Sequence, residues 1–520
     1  MSDFPLLTVL IALPAVGAVL VMALPRANEH VAKQVALAVS VATLALTVVI
    51  ALDFDADGAT YQFLETYDWI PAFGVHWALG LDGIGLSLVA MTAVLTPIVL
   101  GAAWHDVETA AAAEPGSSKR SVKAYYALML VMEAMVIGTF AATDVFLFYV
   151  FFEAMLVPMY FLIGSFGGAQ RSYAAVKFLL YSLVGGLLML AGVIALFVLS
   201  EQAGEGSFLL SDLQELSTST TTQRWLFLAF FIAFAIKAPV WPFHTWLPDA
   251  AAQATPASGV LLVGVLDKVG TFGMIRYCLT LFPEASRFFA PTIAVLAVIG
   301  VLYGALLAIG QTDLMRLVAY TSISHFGFIT LGIFAMTTTA QSGSTLYMVN
   351  HGFSTAALFL IVGFLVSRRG SRLVDAYGGV QKVAPLLAGT FLIAGLSALA
   401  LPGLSTFVSE ILVLIGSYPR YEVLTVVATL GIVLAALYVL LMYQRTMTGP
   451  VAPQVAGMTD LTARERLVVA PIIAIILALG FYPQPVLDVI NPAVEATLEQ
   501  VGVVDLAPSV PAAADGEVSP

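Results

Sequence analysis

The sequence predicts an all-α polytopic membrane protein with about 14 transmembrane helices, and its composition and apolar runs support this. The 520 residues are 60% hydrophobic and only 10% charged, whereas soluble proteins are about 25% charged. Apolar runs of about 20 residues, long enough to cross a hydrocarbon core as a helix, recur along the whole chain. No polar linkers divide it. The composition excludes a soluble enzyme, a nucleic-acid-binding protein and a disordered chain.

The predicted helices are numbered 1 to 14 in chain order. They lie near residues 4–24, 33–52, 79–103, 124–143, 145–165, 173–200, 224–247, 256–281, 288–310, 316–337, 344–367, 386–416, 421–445 and 466–489. The first is interpreted as a retained helix and not as a cleaved signal peptide, because Asp3 replaces the usual positive start. The segment 201–223 is predicted to form a short irregular cap.

The charges of the loops predict the orientation of the helices. Most lysines and arginines flank loops that follow odd-numbered helices, among them Arg368, Arg369 and Arg372, and such loops stay in the cytoplasm. Acidic residues fill the opposite side, in the loop 53–78 and in the tail, which is Ala/Pro-rich from Pro508 and predicted to be disordered. Both termini are therefore predicted to lie outside the cytoplasm, where most of the formal charge of −12 also belongs.

Sulfur and histidine ligands are scarce. Cys278 is the single cysteine and lies in an apolar run, which excludes a disulfide framework and a Cys-ligated metal or iron–sulfur site. The six histidines are too scattered for an evident haem or zinc site. We therefore predict neither a metal site nor a redox centre in this chain.

Several predicted helices contain charged residues, although each charge at mid-bilayer costs about 2.5–3.5 kcal/mol. Such residues either form buried ion pairs that only hold helices together or carry function. Taken together they favour function, because small residues pack helices at lower cost. For Glu133, which lies nearest the start of its helix, both interpretations stay open. Asp267 points about 100° away from Lys268, the next residue of helix 8, and is interpreted as a local counter-charge. The charged residues are Glu133 (helix 4), Glu153 (helix 5), Lys237 (helix 7), Lys268 (helix 8) and Glu410 (helix 12).

Three histidines add groups that exchange protons near neutral pH. His325 and His351 fall inside helices 10 and 11, between Lys268 and Glu410 along the chain. His244, near the end of helix 7, is better explained as a neutral core histidine, although a role in proton transfer stays open. Burial and a nearby opposite charge shift proton affinity in opposite directions. A Glu–Lys pair whose separation changes can therefore exchange protons at neutral pH.

Two helices are predicted to be broken beside an ionisable residue. Pro239 and Pro242 follow Lys237, whereas Pro402 and Gly403 precede Glu410. Proline interrupts a helix, and a membrane tolerates the break only inside protein or beside a wet cavity. Each break is in the fourth helix of a five-helix block, helices 4–8 and 9–13, which predicts two inverted repeats as in secondary transporters. The predicted divisions are 1–105, 124–281, 288–445 and 446–520.

Three stretches, FYVFFEAMLVPMYFLIG, AFAIKAPVWPFHTWLPDA and YTSISHFGF, resemble the antiporter-like, proton-pumping membrane subunits of NADH-quinone oxidoreductase (respiratory complex I). The resemblance covers the whole chain. FHTWLPDA is shared with multisubunit sodium/proton antiporters and membrane-bound hydrogenases. Glutamate in place of lysine on the broken helix 12, together with the run EAMLVPMYFLIG, favours one branch of the complex I family. Fourteen helices without a long lateral helix at the C-terminus also fit that branch better than subunit L. The loop WLPDAAAQATP departs from the family pattern WLPDAHxxAPT.

The resemblance implies a role for each candidate residue. Glu153 and Lys237 would form a gating pair, Lys268 would be the central proton carrier, and His325 and His351 would lead to Glu410 on the exit side. The chain would be one subunit of a proton-translocating NADH:quinone oxidoreductase without cofactors of its own, since flavin, iron–sulfur clusters and quinone would belong to partner subunits.

The implied partners are other membrane subunits of the complex, especially the antiporter-like subunits L and N, in a bacterial inner membrane. The main alternative is a subunit of a multisubunit cation/proton antiporter. A purely structural subunit is a third interpretation. A free-standing transporter is disfavoured, because no substrate-pocket chemistry stands out beyond the proton-carrying groups.

Overall fold

The computed structural model describes residues 4–25, 28–108, 121–204 and 206–505, and helices make up most of them. Asp3 and the predicted disordered tail from Pro508 lie outside the described residues. The first half contains α1 (Leu6–Ala23), α2 (Glu29–Asp53), α3 (Gly83–Ala102), α4 (Val122–Ala141), α5 (Val145–Ala154), α6 (Leu156–Phe166), α7 (Arg171–Ala203), α8 (Leu210–Gln214), α9 (Thr220–Lys237) and α10 (Leu247–Gln253).

The second half is also helical. It contains α11 (Pro256–Leu279), α12 (Pro283–Ile309), α13 (Leu314–Ala335), α14 (Thr338–Arg369), α15 (Pro385–Ala398), α16 (Ser405–Ser417), α17 (Glu422–Met447), α18 (Ala463–Phe481) and α19 (Gln484–Val501). Short 3₁₀ turns lie at Pro71–Phe73, Ala103–His105, Val374–Ala376 and Val380–Lys382.

Eleven helices among the described residues are long and apolar enough to cross a membrane, or up to 13 if two bent pairs each form one span. The predicted class, an all-α polytopic membrane protein, is confirmed. The exact number of 14 and the two inverted repeats stay predictions. One of the bent pairs is α18 and α19, which meet at 70°, so predicted helix 14 ends at Phe481 and a further helix follows.

The loop 53–78 contains a β-hairpin that the sequence analysis did not predict. Strands β1 (Gln62–Ile70) and β2 (Val75–Leu81) pair antiparallel, and Gly74 adopts a left-handed φ of 60°, which glycine tolerates. Because β2 extends to Leu81, α3 begins at Gly83 and not near 79. Glu65 is buried and accepts hydrogen bonds from the backbone nitrogen of Leu7, at 2.6 Å, and from Thr8. The hairpin therefore supplies acceptors to free backbone amides at the start of α1.

The described residues of the segment 201–223 are more regular than the predicted irregular cap. It contains the short helix α8, and the backbone amide of Val145 donates to Phe208 O at 2.8 Å. Asp144 caps the start of α5 by accepting from the amides of Phe146 and Leu147, each at 2.9 Å. The segment thus fixes the beginning of the helix that carries Glu153.

Both predicted helix breaks are present. Helix α9 ends at Lys237, two residues before Pro239, and Trp246 Nε1 donates to the freed carbonyl of Ile236 at 2.8 Å. The second break separates α15 from α16, where Thr406 donates to Ser397 O. Side chains therefore satisfy backbone groups that the breaks release, as burial requires.

The most deeply buried helices are α11, α13 and α14, whereas α1, α2, α7 and α17 expose much of their apolar surface. Glycines permit close helix contacts in the interior. A Cβ at Gly343 of α14 would lie 2.8 Å from Val413 N of α16. Small residues at such contacts let backbones approach. The ionisable side chains of α14 and α16 are thereby brought within reach of each other.

A methyl group at Gly83 is expected to weaken the docking of α19 on α3. The Cβ would lie 1.7 Å from Val489 O, and such overpacking costs about 1–3 kcal/mol. Gly83→Ala should therefore lower the temperature at which the detergent-extracted protein loses its fold, measured by heating followed by native electrophoresis. Gly389→Ala on α15 is the control, because no atom of the described residues lies within 4 Å of its Cβ position. Equal midpoints for the two variants would contradict the close approach.

Candidate functional site

Most of the predicted proton-relay residues are buried. Lys237, the last residue of α9, and Lys268 of α11 are both 0% exposed. Glu153, near the end of α5, is only half-buried. The others, also buried, are His325 on α13, His351 on α14 and Glu410 on α16.

Lys268 and the two histidines lie next to one another in the centre of the bundle. Lys268 Nζ lies 2.8 Å from Nδ1 of His351 and also donates to Val263 O at 2.5 Å. The other ring nitrogen of His351 lies 3.2 Å from the hydroxyl of Ser322. The ring of His325 follows, with its centroid 5.3 Å from that of His351. A proton on the lysine therefore has an imidazole acceptor in direct contact.

Tyr347 joins the histidines to Glu410, a connection that the sequence analysis missed. Its hydroxyl donates to Glu410 Oε2 at 2.7 Å, and Nδ1 of His325 lies 2.7 Å from the same hydroxyl oxygen. Tyr347 and His351 are four residues apart on α14 and share one face of the helix. That spacing was the available signal. Lys268 and Glu410 are thus ends of one line of polar side chains.

No hydrogen bond joins Glu153 and Lys237, the predicted gating pair, among the described residues. Lys237 Nζ lies over the ring of Phe152, 4.5 Å from its centroid, where a cation is attracted to the π face. Neither Lys237 Nζ nor Glu153 Oε1 has a hydrogen-bond partner among the described residues. A Cβ at Gly186 of α7 would lie 1.8 Å from that glutamate oxygen, so the carboxyl group occupies space that only glycine leaves open.

Two weaker candidates lie off this line. Glu133 of α4 is buried and faces Thr96 of α3. His244 lies in the turn after α9 with its ring 5.0 Å from that of Tyr303. Among the described residues, neither Glu133 nor His244 forms a hydrogen bond to the line from Lys268 to Glu410. Their roles in proton transfer stay predictions.

The FHTWLPDA segment braces the first helix break. Asp249 of α10 accepts from Lys177 of α7 at 2.7 Å and also pairs with Arg316 of α13. One carboxylate thus links three helices. Trp246 of the same segment bonds the end of α9, and the segment thereby holds Lys237 in place. Within the described residues, no group of three or more His, Cys, Asp or Glu side chains is arranged to hold a metal ion.

A family model described as NADH:quinone oxidoreductase/Mrp antiporter, TM, matches residues 142–435. The chain belongs to this family. NADH-quinone oxidoreductase subunit M of Mycobacterium tuberculosis (strain ATCC 25618 / H37Rv) is 54% identical, covering 98% of this chain and 97% of the relative. The protein of the same name from Rickettsia prowazekii (strain Madrid E) is 38% identical, covering 96% and 99%. The resemblance indicated by the motifs is confirmed, and the branch is that of subunit M.

Solved structures agree with this assignment to the NADH:quinone oxidoreductase/Mrp antiporter family. A chain of respiratory complex I from Thermus thermophilus with bound NADH has a TM-score of 0.84 and 31% identity, covering 96% of this chain and 100% of that one. A chain of the Mrp complex from Dietzia sp. DQ12-45-1b has a TM-score of 0.81 at 22% identity, with the same coverage. The second likeness shows the fold alone.

Proposed function

We propose that this chain is the proton-translocating membrane subunit of an NADH-quinone oxidoreductase, coupling electron transfer in partner subunits to proton movement through its own interior. The observation that carries the proposal is the buried line from Lys268 through the two histidines and Tyr347 to Glu410. It joins groups that take up and release protons across four helices of a membrane-embedded bundle. The relatives named subunit M support the same conclusion.

The proton moves along this line by successive exchanges. The Lys268 ammonium gives a proton to His351, and the imidazole pair passes it to Tyr347, whose hydroxyl already donates to Glu410. No electron is transferred in these steps. Moving one charge against 100 mV requires about 2.3 kcal/mol, whereas one pKa unit corresponds to about 1.36 kcal/mol. The driving event must therefore change proton affinities by several units, which only a desolvated site permits.

The driving event in this proposal is a change in the separation of Glu153 and Lys237. No hydrogen bond joins the two among the described residues, and the ammonium group lies against the ring of Phe152. An approaching glutamate would stabilise the charged lysine, and its withdrawal would release the proton inward, because an opposite charge favours the ionised form. Energy from quinone reduction in other subunits would set this distance.

The surroundings proposed for the chain follow from its family. Subunits L and N are the proposed neighbours, and flavin, iron–sulfur clusters and quinone are assigned to partner subunits. The complex would lie in a bacterial inner membrane with both termini of this chain on the outer side, as the loop charges predict. Residues 124–281 and 288–445 are proposed as two inverted repeats, supported by a break in the fourth predicted helix of each block.

Native electrophoresis tests the proposal. The chain is tagged in its own organism, the membranes are extracted with mild detergent, and the gel is stained for NADH oxidation. We expect the tag to migrate in a very large assembly together with that activity. Migration of all tagged chain in an assembly without NADH-oxidising activity would refute the proposal.

A cation/proton antiporter subunit is the second candidate, and the family description, which also names the Mrp antiporter, favours it. Neighbouring genes separate the two: flavoprotein and iron–sulfur subunits accompany an oxidoreductase, whereas an antiporter needs only membrane subunits. A purely structural role is tested by Lys237→Ala and Glu410→Ala. Wild-type proton stoichiometry in both assembled variants would favour that role.

A further inference from the structure

Asp267 is a buried carboxylate that the proposed relay leaves out. It is 0% exposed, and neither of its carboxyl oxygens has a hydrogen-bond partner among the described residues. Burying an ionised carboxylate without partners costs several kcal/mol. A residue kept at such a cost on the helix of the central lysine calls for a role in the chemistry or in the packing.

The backbone of α11 directs Asp267 and Lys268 to different neighbours. A π-helical turn at Leu261–Leu266 ends immediately before Asp267, and an ordinary α-helical turn starts at Lys268. Successive residues of a helix point about 100° apart. Lys268 reaches His351 of α14, so Asp267 projects from another side of the helix. Short π-helical segments of this kind occur frequently at functional sites.

That other side is occupied by the end of α9. A Cβ at Gly270, one turn beyond Asp267, would lie 2.6 Å from the backbone nitrogen of Ala238. The two backbones therefore touch next to Lys237. Asp267 interacts electrostatically with Lys268 and Lys237. Lys237 in turn interacts electrostatically with Glu153 and Asp267. Asp267 is thus the carboxylate between the gating pair and the central lysine.

A purely structural ion pair does not account for this geometry. An ion pair that locks α9 to α11 would place an ammonium group in contact with the carboxylate. Lys268 Nζ instead contacts Val263 O and His351, and Lys237 Nζ lies over the ring of Phe152. The carboxylate stands between two amines and is bonded to neither, an arrangement suited to alternating contact.

We propose that Asp267 carries the proton from Lys237 to Lys268. The Lys237 ammonium releases a proton to the Asp267 carboxylate, which leaves a neutral amine and a carboxylic acid. The acid then protonates the neutral Lys268 amine and becomes a carboxylate again, so that one positive charge has moved from α9 to α11. Water or a small side-chain movement closes each contact. The inference rests on the proposed function and adds a step between the gate and the central line.

The test uses the intact, tagged complex with Asp267→Asn, which keeps the size of the side chain but cannot bind the proton. We expect assembly and NADH oxidation with an artificial electron acceptor to be unchanged. Quinone-linked NADH oxidation and proton translocation should each fall about tenfold or more. A tenfold change in rate corresponds to the same free energy as a shift of about one pKa unit. Asp267→Glu, which restores a carboxyl group, should recover most of both rates.

The matched control is Asp144→Asn. Asp144 is equally buried, but its carboxylate accepts backbone hydrogen bonds from Phe146 and Leu147 at the start of α5 and from His76 of β2, whose ring lies 4.0 Å away. Asparagine also caps helices. We expect translocation in this variant to stay close to that of the wild type. Wild-type translocation in assembled Asp267→Asn would overturn the inference.

Two further readings keep the outcomes distinct. Loss of translocation in Glu153→Gln but not in Asp267→Asn would overturn this inference and leave the proposed function intact, whereas a wild-type chain that does not migrate with NADH oxidation would overturn the proposed function itself. If Asp267→Asn does not assemble, infrared difference spectra of the working wild-type complex carry the test. A carboxylic acid band that changes during turnover and moves in Asp267→Glu supports the carrier, and the absence of such a band overturns it.

Discussion

Glu153→Gln is expected to abolish NADH-driven proton translocation while the complex stays assembled. Glutamine has nearly the same shape but no charge, so Lys237 would no longer alternate between a paired and a separated state. The substitution should not disturb the fold, because Glu153 Oε1 has no hydrogen-bond partner among the described residues. The number of protons translocated per NADH oxidised, with native electrophoresis as the measure of assembly, gives the result.

Gly186→Ala provides a second approach to the same carboxylate. Its Cβ would lie 1.8 Å from Glu153 Oε1, so alanine must displace the carboxyl group while leaving its charge in place. We expect a partial loss of translocation, smaller than that of Glu153→Gln. Gly389→Ala, whose Cβ position is open, serves as the control.

Full proton translocation by an assembled Glu153→Gln complex would refute the assignment of Glu153 to the gate.

The membrane fold and the charged candidates were predictable because their signals are local. An apolar run of sufficient length forms a helix whatever its neighbours are, and a proline ends that helix a residue or two earlier, as at Lys237. Charges inside such runs stand out because they are costly. For that reason Lys268, His325, His351 and Glu410 were recognised, and the structure places them along one line.

The remaining features depend on tertiary contacts. Tyrosine is common in apolar helices, and Tyr347 acquires its position only because Gly343, one turn away, lets α14 approach α16. The β-hairpin is attached to the start of α1 by Glu65, which the sequence pattern shows only as one of several acidic loop residues. The sequence alone indicates that Asp267 is a counter-charge to its neighbour Lys268. Its environment is set by α9, which no local pattern reveals.

Tyr347→Phe is expected to lower proton translocation about tenfold without disturbing assembly. Phenylalanine fills the same space but removes the hydroxyl that lies 2.7 Å from both His325 Nδ1 and Glu410 Oε2. An unsatisfied buried polar group costs about 1–3 kcal/mol, and about 1.4 kcal/mol corresponds to a factor of ten in rate. The measurement is the initial rate of NADH-driven acidification in membrane vesicles, normalised to the amount of assembled complex.

Tyr438→Phe is the matched control for this effect. Tyr438 of α17 is also a buried tyrosine, but its hydroxyl has no hydrogen-bond partner among the described residues. Removing that hydroxyl should leave translocation unchanged, and a difference between the two variants then isolates the bonded phenol from the general loss of a hydroxyl group. Equal rates in assembled Tyr347→Phe and Tyr438→Phe would mean that the proton reaches Glu410 by a route that bypasses the phenol, because phenylalanine can neither accept nor donate it.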